Sequence, residues 1–496
     1  MEYRVFPPIG IGRIGNSQDF FVGPEVLGSK GVELTPGGEV EISQYKDAAF
    51  RVKRQAARFR LFQRDSASDP FVPASLPTGA KIRWKVHVAN KKDSIFRPSN
   101  PPSSFPATGL RPKANTARAD RLIDSGEVEV EGANAPAKAL IGTHLGTQVT
   151  LGELRTDGSG NLLVLPASGA SKSNPQSPVG GSFYNNANWY DDVCDGRVEA
   201  SIVAANGNET SALGSWFISA PPDFAPGVGA IVTLYDIMEQ LAIAQGWLTT
   251  PTATSFTRDV FPILQRSRSL RWSHGRKIAG VPTSDSNWNQ VSEDFSKLSD
   301  AGASNKTFRQ QQSQLIRNVE DLSILSNYEL TDTQKSHLTR WEDGNFASDW
   351  VGVPPVAAAA TADSLTQAAL LGTAGQGFFP GIEAGLIVTD PTIYLNPFDF
   401  RIDPTKLVAG DMTALMAQPW QADFLKCQGV WWPSQRPDLA PQSNNSFKMW
   451  ARIQNQDSGI THQNLIDHVM QFGMIASTNV AGVEVCIEQG RDPAIG

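Results

Sequence analysis

Cysteine is scarce in this sequence. Cys194, Cys427 and Cys486 are the three present in 496 residues. An odd, widely spaced set excludes a disulfide framework and points to a reducing compartment. Histidine is nearly as rare, at six. His462 and His468 are six apart, which on a helix turns them to different faces, and the other four lie singly, so no metal centre is expected. No apolar run approaches the length of a membrane span. The start, MEYRVFPPIG, lacks the charged-then-apolar layout of a secretory signal. A cytoplasmic protein is therefore expected, with any release by a non-standard route. Basic residues are outnumbered, 43 against 50, for a net charge of −7. A nucleic-acid binder would concentrate positive charge instead.

Nucleotide and hydrolase motifs are missing as well. There is no G-x-x-x-x-G-K-[ST] and no G-x-S-x-G. GIGRIG at 10–15 matches G-x-G-x-x-G, but Pro7 and Pro8 precede it and the turn-like NSQDFFVGPE follows. The helix whose N-terminus would hold a pyrophosphate is not there.

What the sequence does have is glycine (43), proline (33) and a 40% apolar content. That combination describes a loop-rich chain with a large core, long enough for two or three substructures. Its first half reads as strands. In FRVKRQAARFRLFQRD (50–65), Phe59 and Leu61 alternate with Arg58 and Arg60, the arginines forming a solvated face. KIRWKVHVAN (81–90) alternates too, and 151–166 is a hairpin turning at Asp157-Gly158-Ser159-Gly160. From residue 234 the period becomes helical: Leu234, Ile237, Met238 and Leu241 share a face, with Gly246 at the stop. Further helices are expected at 307–325, at 332–342 after Thr331, and at 462–472 between Thr461 and Gly473. Residues 280–306 and 351–364 read as loops. The expected fold is α+β: a β-rich, sandwich-like region over 1–233 and a mainly helical region over 234–496.

Two acidic patterns stand out. Asp191, Asp192 and Asp195 form either an acidic turn or a hard-cation site, the turn being the commoner case. The second is PWQADFLKCQGVWWPSQRPD (419–438). Pro419 suits a first helical position and Gly429 a stop, which predicts a short helix over 419–428. Asp423 and Cys427 are then i and i+4, on one face. A carboxylate there can accept a proton from the thiol or from a substrate carbon, although a cysteine by itself is more often a small buried hydrophobe.

This stretch resembles the quinone-dependent amino-acid oxidases of the lysine ε-oxidase and glycine oxidase type. FPPIGIGRIGNSQDFFVGPE (6–25), RQAARFRLF (54–62), WKVHVANKK (84–92), LGELRTDGSGNLLVL (151–165), APPDFAPGVGAIVTLYD (220–236), FTRDVFPIL (256–264) and FFPGIEA (378–384) extend the resemblance, in order, along the chain. It implies a cofactor built from the protein itself, cysteine tryptophylquinone (CTQ), in a segment spanning 411–475. Cys427 matches the cofactor cysteine and Asp423 the acid four positions before it. Trp450, the sole tryptophan after WWPSQRPD, is assigned as the cofactor tryptophan, with Trp431 or Trp432 as the alternative. Phe224, His337, Thr373, Trp432 and Arg436 become candidate pocket residues. Thr373 stands near where relatives carry a cysteine, and the chain is short between WWPSQRPD and Trp450.

The implied reaction is oxidative deamination of a primary amine of an amino acid, peptide or metabolite. Its products would be an aldehyde or keto acid, ammonia and, with oxygen as acceptor, hydrogen peroxide. Asp423 would serve as the base. A flavoprotein that matures the cofactor is the implied transient partner, and a homo-oligomer is implied; neither NAD nor metal is required, and neither nucleic acid nor membrane is a partner. Two other readings stay open: a homologue that never forms the quinone and acts as a binding or scaffold protein, and a quinone amine dehydrogenase passing electrons to an acceptor protein.

Overall fold

Along Lys81–Asn90 and Asp195–Val203 buried and half-buried side chains alternate, whereas Ile9–Arg13, Leu162–Pro166 and Ser215–Ala220 are buried throughout, and the computed structural model gathers these strands into one sheet. It describes the chain except residues 98–110, 181, 183–184, 275–276, 279–280, 283–286, 318–329, 355–358, 376–383, 396–398, 427–434, 445, 455–459 and 481–482. The chain divides into two compact units. The first comprises 1–222, 357–370 and 377–423, and the second 223–356, 371–376 and 424–496. The units interleave, so they differ from a simple cut at residue 233: two later segments return to the first.

The first unit is built on a 15-stranded sheet. Its main path runs Ile123–Glu131, Lys81–Asn90, Asp195–Val203, Ser215–Ala220, Ile9–Arg13, Arg54–Arg64, Leu162–Pro166, Thr147–Thr156, Lys138–His144. Most pairs are antiparallel, but Ile9–Arg13 lies parallel to Ser215–Ala220, with Trp216 opposite Ile9. One apolar cluster, including Phe59, Leu61, Trp84, Val86, Leu154, Val164 and Phe217, fills the sheet's interior. The hairpin expected at 151–166 is present. Thr156 faces Leu162, and Asp157 Oδ1 accepts the Ser159 and Asn161 amides at 2.9 and 3.0 Å. Gly160, at φ +79°, closes the turn.

GIGRIG forms a strand, Ile9–Arg13, with no helix after it; Phe20–Val22 is the next strand. Its glycines answer to packing. A Cβ on Gly10 would meet Phe59 Cζ at 2.3 Å, and one on Gly12 would meet Phe217 Cε2 at 2.8 Å. One expectation fails. Arg58 is not on a solvated face but is 5% exposed, because Glu25 and Glu39 cover it with ion pairs. Burial works against the Glu25 carboxylate, yet hydrogen bonds from Arg60 and Arg58 hold its pKa below the ordinary value.

The second unit carries most of the helices. Leu234–Ala244 starts with a capping box between Thr233 and Asp236 and buries Leu234, Ile237, Met238 and Leu241. Asp332–Asp343 is capped by Thr331 and Gln334 and ends at Gly344, φ +82°. His462–His468 starts at Thr461 and gives way to a 3₁₀ turn over Val469–Gln471. The helix expected at 307–325 occupies Lys306–Arg317, and the remainder, 318–325, lies outside the described residues. Residues 280–306, expected as loop, contain the short helix Phe295–Leu298. The 351–364 loop ends early, at the helix Ala362–Leu371. A hairpin closes the chain, with Met474–Val480 antiparallel to Val483–Gln489. The fold is α+β, β-rich first and more helical later.

Candidate functional site

The helix expected at 419–428 spans Trp420–Lys426, one residue later than Pro419 suggests. Asp423 lies in its first turn and is fully buried. Cys427, Trp431 and Trp432 lie outside the described residues. The other two cysteines are spent on packing. Cys194 is in the sheet core, where Sγ donates to the Leu151 carbonyl at 3.5 Å. Burial, reinforced by Asp195, pushes its thiol pKa well up, away from the reactive thiolate. Cys486 is buried in the terminal hairpin, opposite Ser477.

Residues from distant parts of the second unit converge on Trp450. Its indole is fully buried, and Nε1 donates to the Gly473 carbonyl at 2.7 Å. That bond leaves the ring no freedom to turn over. The Phe224 ring packs against it at 4.8 Å and 55°, and Phe472 meets it edge-on at 5.0 Å and 80°. Phe224 also touches Phe424 edge-on at 6.2 Å. The Arg436 guanidinium stands 5.8 Å from the indole centroid, on its way to the Phe424 carbonyl and to Asp438 Oδ1 at 3.1 Å. It is therefore both a clamp on the chain and a fixed positive charge beside the ring.

The backbone of Trp450 is held with equal care. Its N–H donates to the Asp438 carbonyl at 2.9 Å, and its carbonyl accepts from Arg491 at 2.6 Å. Arg491 is paired with Glu488, which also takes Arg452 at 2.7 Å. Burial would raise the Glu488 pKa, but the charges of Arg491 and Arg452 hold it below the ordinary value. Asp438 in turn pairs with His274 through Oδ2 at 2.9 Å.

Of the pocket residues expected from sequence, Phe224 and Arg436 thus meet at Trp450. His337 does not join them. It sits in the Asp332–Asp343 helix, with Nδ1 2.9 Å from Thr254 Oγ1 and 3.8 Å from Asp259. Burial lowers its pKa. It borders a separate cavity of about 130 Å³ lined by Gln240, Ile243 and Arg340 among others. Thr373 is buried, and its carbonyl accepts the amide of Leu234 at 2.9 Å, a structural contact at a helix start. Phe472, Gly473, Asp438, Glu488 and Arg491 were missed. Only Asp438, two residues after Arg436 in SQRPD, carried a local signal.

Asp191, Asp192 and Asp195 do not act as one cluster. Asp191 pairs with Lys92, Asp192 accepts the Ala170 amide at 2.8 Å, and Asp195 takes Trp216 Nε1 and Thr413 at 3.0 and 2.7 Å. Among the described residues no group of three or more His, Cys, Asp or Glu is arranged to hold a metal ion, and no helix is long and apolar enough to cross a membrane.

Two family models match in sequence order: the L-lysine ε-oxidase N-terminal model over residues 6–219 and the C-terminal domain model over 313–450. Together they take in more than two thirds of the chain, and the second ends on Trp450. L-lysine 6-oxidase from Marinomonas mediterranea is 26% identical, over 86% of this chain and 71% of that protein. The crystal structure of the L-Lys ε-oxidase from the same organism superposes with a TM-score of 0.76 at 20% identity, over 99% of this chain and 95% of that one. A structure described as its Schiff base intermediate with L-Lys matches equally well. Both halves of the fold and the segment holding Asp423, Cys427 and Trp450 thus share one ancestry, and the chain belongs to the L-lysine ε-oxidase family, oxidoreductases that act on CH–NH2 donors with oxygen as acceptor.

Proposed function

We propose that this protein oxidatively deaminates a primary amine of an amino acid, or of an amine-bearing peptide or metabolite, through a cysteine tryptophylquinone made from Cys427 and Trp450. The net reaction takes the amine, oxygen and water to an aldehyde or keto acid, ammonia and hydrogen peroxide. The observation that carries this reading is the seat of Trp450. A plain core tryptophan needs burial and one acceptor; this one also has its carbonyl and amide fixed and a guanidinium beside its ring.

That seat fits the group. A ring bearing two oxygens would be electron-poor and would gain negative charge on reduction, which the Arg436 guanidinium, 5.8 Å from the ring centroid, would favour. Cys194 and Cys486 are committed to packing, which leaves Cys427 as the sulfur donor. When formed, the quinone supplies the electron sink that amino-acid side chains lack. Phe224 and Phe472 keep water from the ring faces and hold its plane. Asp423, buried in the first turn of its helix, takes the proton from the amine-bearing carbon. The named relative acts on L-lysine, which favours an amino-acid substrate here as well. A flavoprotein is the proposed source of the oxygen insertion.

The test is peptide mass spectrometry on protein coexpressed with its flavoprotein, followed by peroxide release with free amino acids and amine-bearing peptides. The expected product joins the Cys427 and Trp450 peptides, with two oxygens gained and four hydrogens lost. An unmodified mass with Cys427 open to alkylation, in the presence of active flavoprotein, would leave a scaffold role. A formed quinone with turnover but no peroxide would point to a protein electron acceptor.

A further inference from the structure

Asp191 and Lys92 form an ion pair in which both side chains have no exposure to solvent. Such a pair is a poor stabiliser, because removing two charges from water consumes most of what their attraction returns. Neither residue belongs to the Trp450 cluster. The bonds they make show what they hold.

Asp191 Oδ1 accepts Lys92 Nζ at 3.1 Å, Asn90 Nδ2 at 3.0 Å and the Val193 amide at 3.3 Å. Its Oδ2 accepts Lys92 Nζ at 2.8 Å and the backbone amide of Trp420 at 2.9 Å. Trp420 opens the Trp420–Lys426 helix, and a first-turn amide has no partner within its own helix. The carboxylate therefore satisfies a donor that would otherwise be orphaned, three residues before Asp423. Neighbouring residues are tied to the same ribbon. Gln418 Nε2 reaches Asp93 Oδ1 at 3.1 Å and the Trp189 carbonyl. Asn186 Nδ2 reaches the Gln418 carbonyl at 3.0 Å, and Ser171 Oγ reaches Gln421 Oε1 at 2.8 Å. Ser171 and Asp191 face each other across an antiparallel pair.

We propose that Asp191, held in place by Lys92, is a positioning residue that fixes the start of the Trp420–Lys426 helix and so the placing of Asp423. Lys92 fixes the carboxylate, the carboxylate fixes the helix register, and the surrounding amides prevent slip. Its catalytic consequence rests on the function proposed above; the tether itself does not.

Two double variants separate the charge pair from the tether. Lys92→Met with Asp191→Asn removes both charges but keeps an acceptor oxygen for Trp420. Lys92→Met with Asp191→Leu removes the acceptor too. At matched melting temperatures, the leucine variant is expected to exchange the Trp420 amide at least ~tenfold faster than the asparagine variant. Its crosslinked fraction and kcat should also fall at least ~tenfold below, with KM within about twofold, since misplacement of an acid by about 1 Å costs rate more than binding. Equal exchange and equal kcat in the two would overturn the proposal. If neither folds, the unmodified wild-type chain decides. Trp420 must then exchange more slowly than the first-turn amides of the His462–His468 helix, and an equal or faster rate would overturn it. Exchange needs no quinone, so a chain that never crosslinks yet protects Trp420 refutes the cofactor and not the tether.

Discussion

Replacing Glu488 by glutamine tests the seat of Trp450 from beneath. The side chains of Glu488, Arg452 and Arg491 are 5%, 3% and 9% exposed, so the carboxylate neutralises two guanidinium groups almost out of water. Breaking a buried pair costs ~3–5 kcal/mol; glutamine keeps one acceptor oxygen, which places the loss at about 3 kcal/mol. Arg491 then holds the Trp450 carbonyl less firmly, and the terminal hairpin that follows Gly473 opens more often. At 1.4 kcal/mol per decade, hydrogen exchange in Val483–Gln489 should quicken about 100-fold at pH 7. The sign with pH follows from the lowered pKa of Glu488. A depressed carboxylate stabilises the fold above its unfolded value, and that stability is lost as pH falls through the lower folded value. The gap between wild type and Glu488→Gln should therefore narrow below pH 4.5, the ordinary glutamate value. A change under ~threefold at pH 7, or a gap that does not narrow in acid, would refute the reasoning.

Two further outcomes are expected. Burial first, and the charge of Asp191 after it, push the Asp192 pKa up to about 7 despite the Ala170 amide. Stability of the wild type should thus decline between about pH 4 and pH 7, as the unfolded chain releases this proton more readily. Asp192→Asn should flatten that slope in thermal melts at stepped pH; an unchanged slope would assign it elsewhere. Phe224, fully buried against Trp450, should cost ~3–5 kcal/mol as alanine but only about 1–1.5 as leucine. Urea unfolding read by tryptophan fluorescence measures this, and an alanine cost near that of leucine would mean the ring is not packed as described.

What was legible in the sequence was local. Alternation marked Arg54–Arg64 and Lys81–Asn90, an apolar period marked the helix from Leu234, and Thr331 and Thr461 each announced a helix whose capping box the structure contains. Asp423 was singled out by its i, i+4 spacing to Cys427 together with family resemblance, and Trp450 by resemblance alone. What stayed hidden depends on partners far along the chain. Arg58 reads as solvated until Glu25 and Glu39 fold over it. Asp191 reads as an acidic turn because Lys92 lies about a hundred residues earlier, and no spacing rule connects them. His337 had the right residue type, but its helix faces Thr254 and Asp259. The seat of Trp450 draws on Gly473, Glu488 and Arg491; Gly473 reads as a helix stop, and nothing local to Glu488 or Arg491 points to a tryptophan some forty residues earlier.

The return of residues 377–423 to the first unit sets an order on biosynthesis. Ser215–Ala220 must leave the ribosome before Ile9–Arg13 has its parallel neighbour, so the sheet cannot close on a short nascent chain. Even then Asp195 waits for Thr413 and Asp191 for Trp420. A fragment ending at residue 222 would carry two buried carboxylates without these donors, a poor candidate for independent expression. Cys427 emerges only four residues after Asp423, and Trp450 later still. The seat of Trp450 closes last of all, because Gly473, Glu488 and Arg491 follow it in the chain.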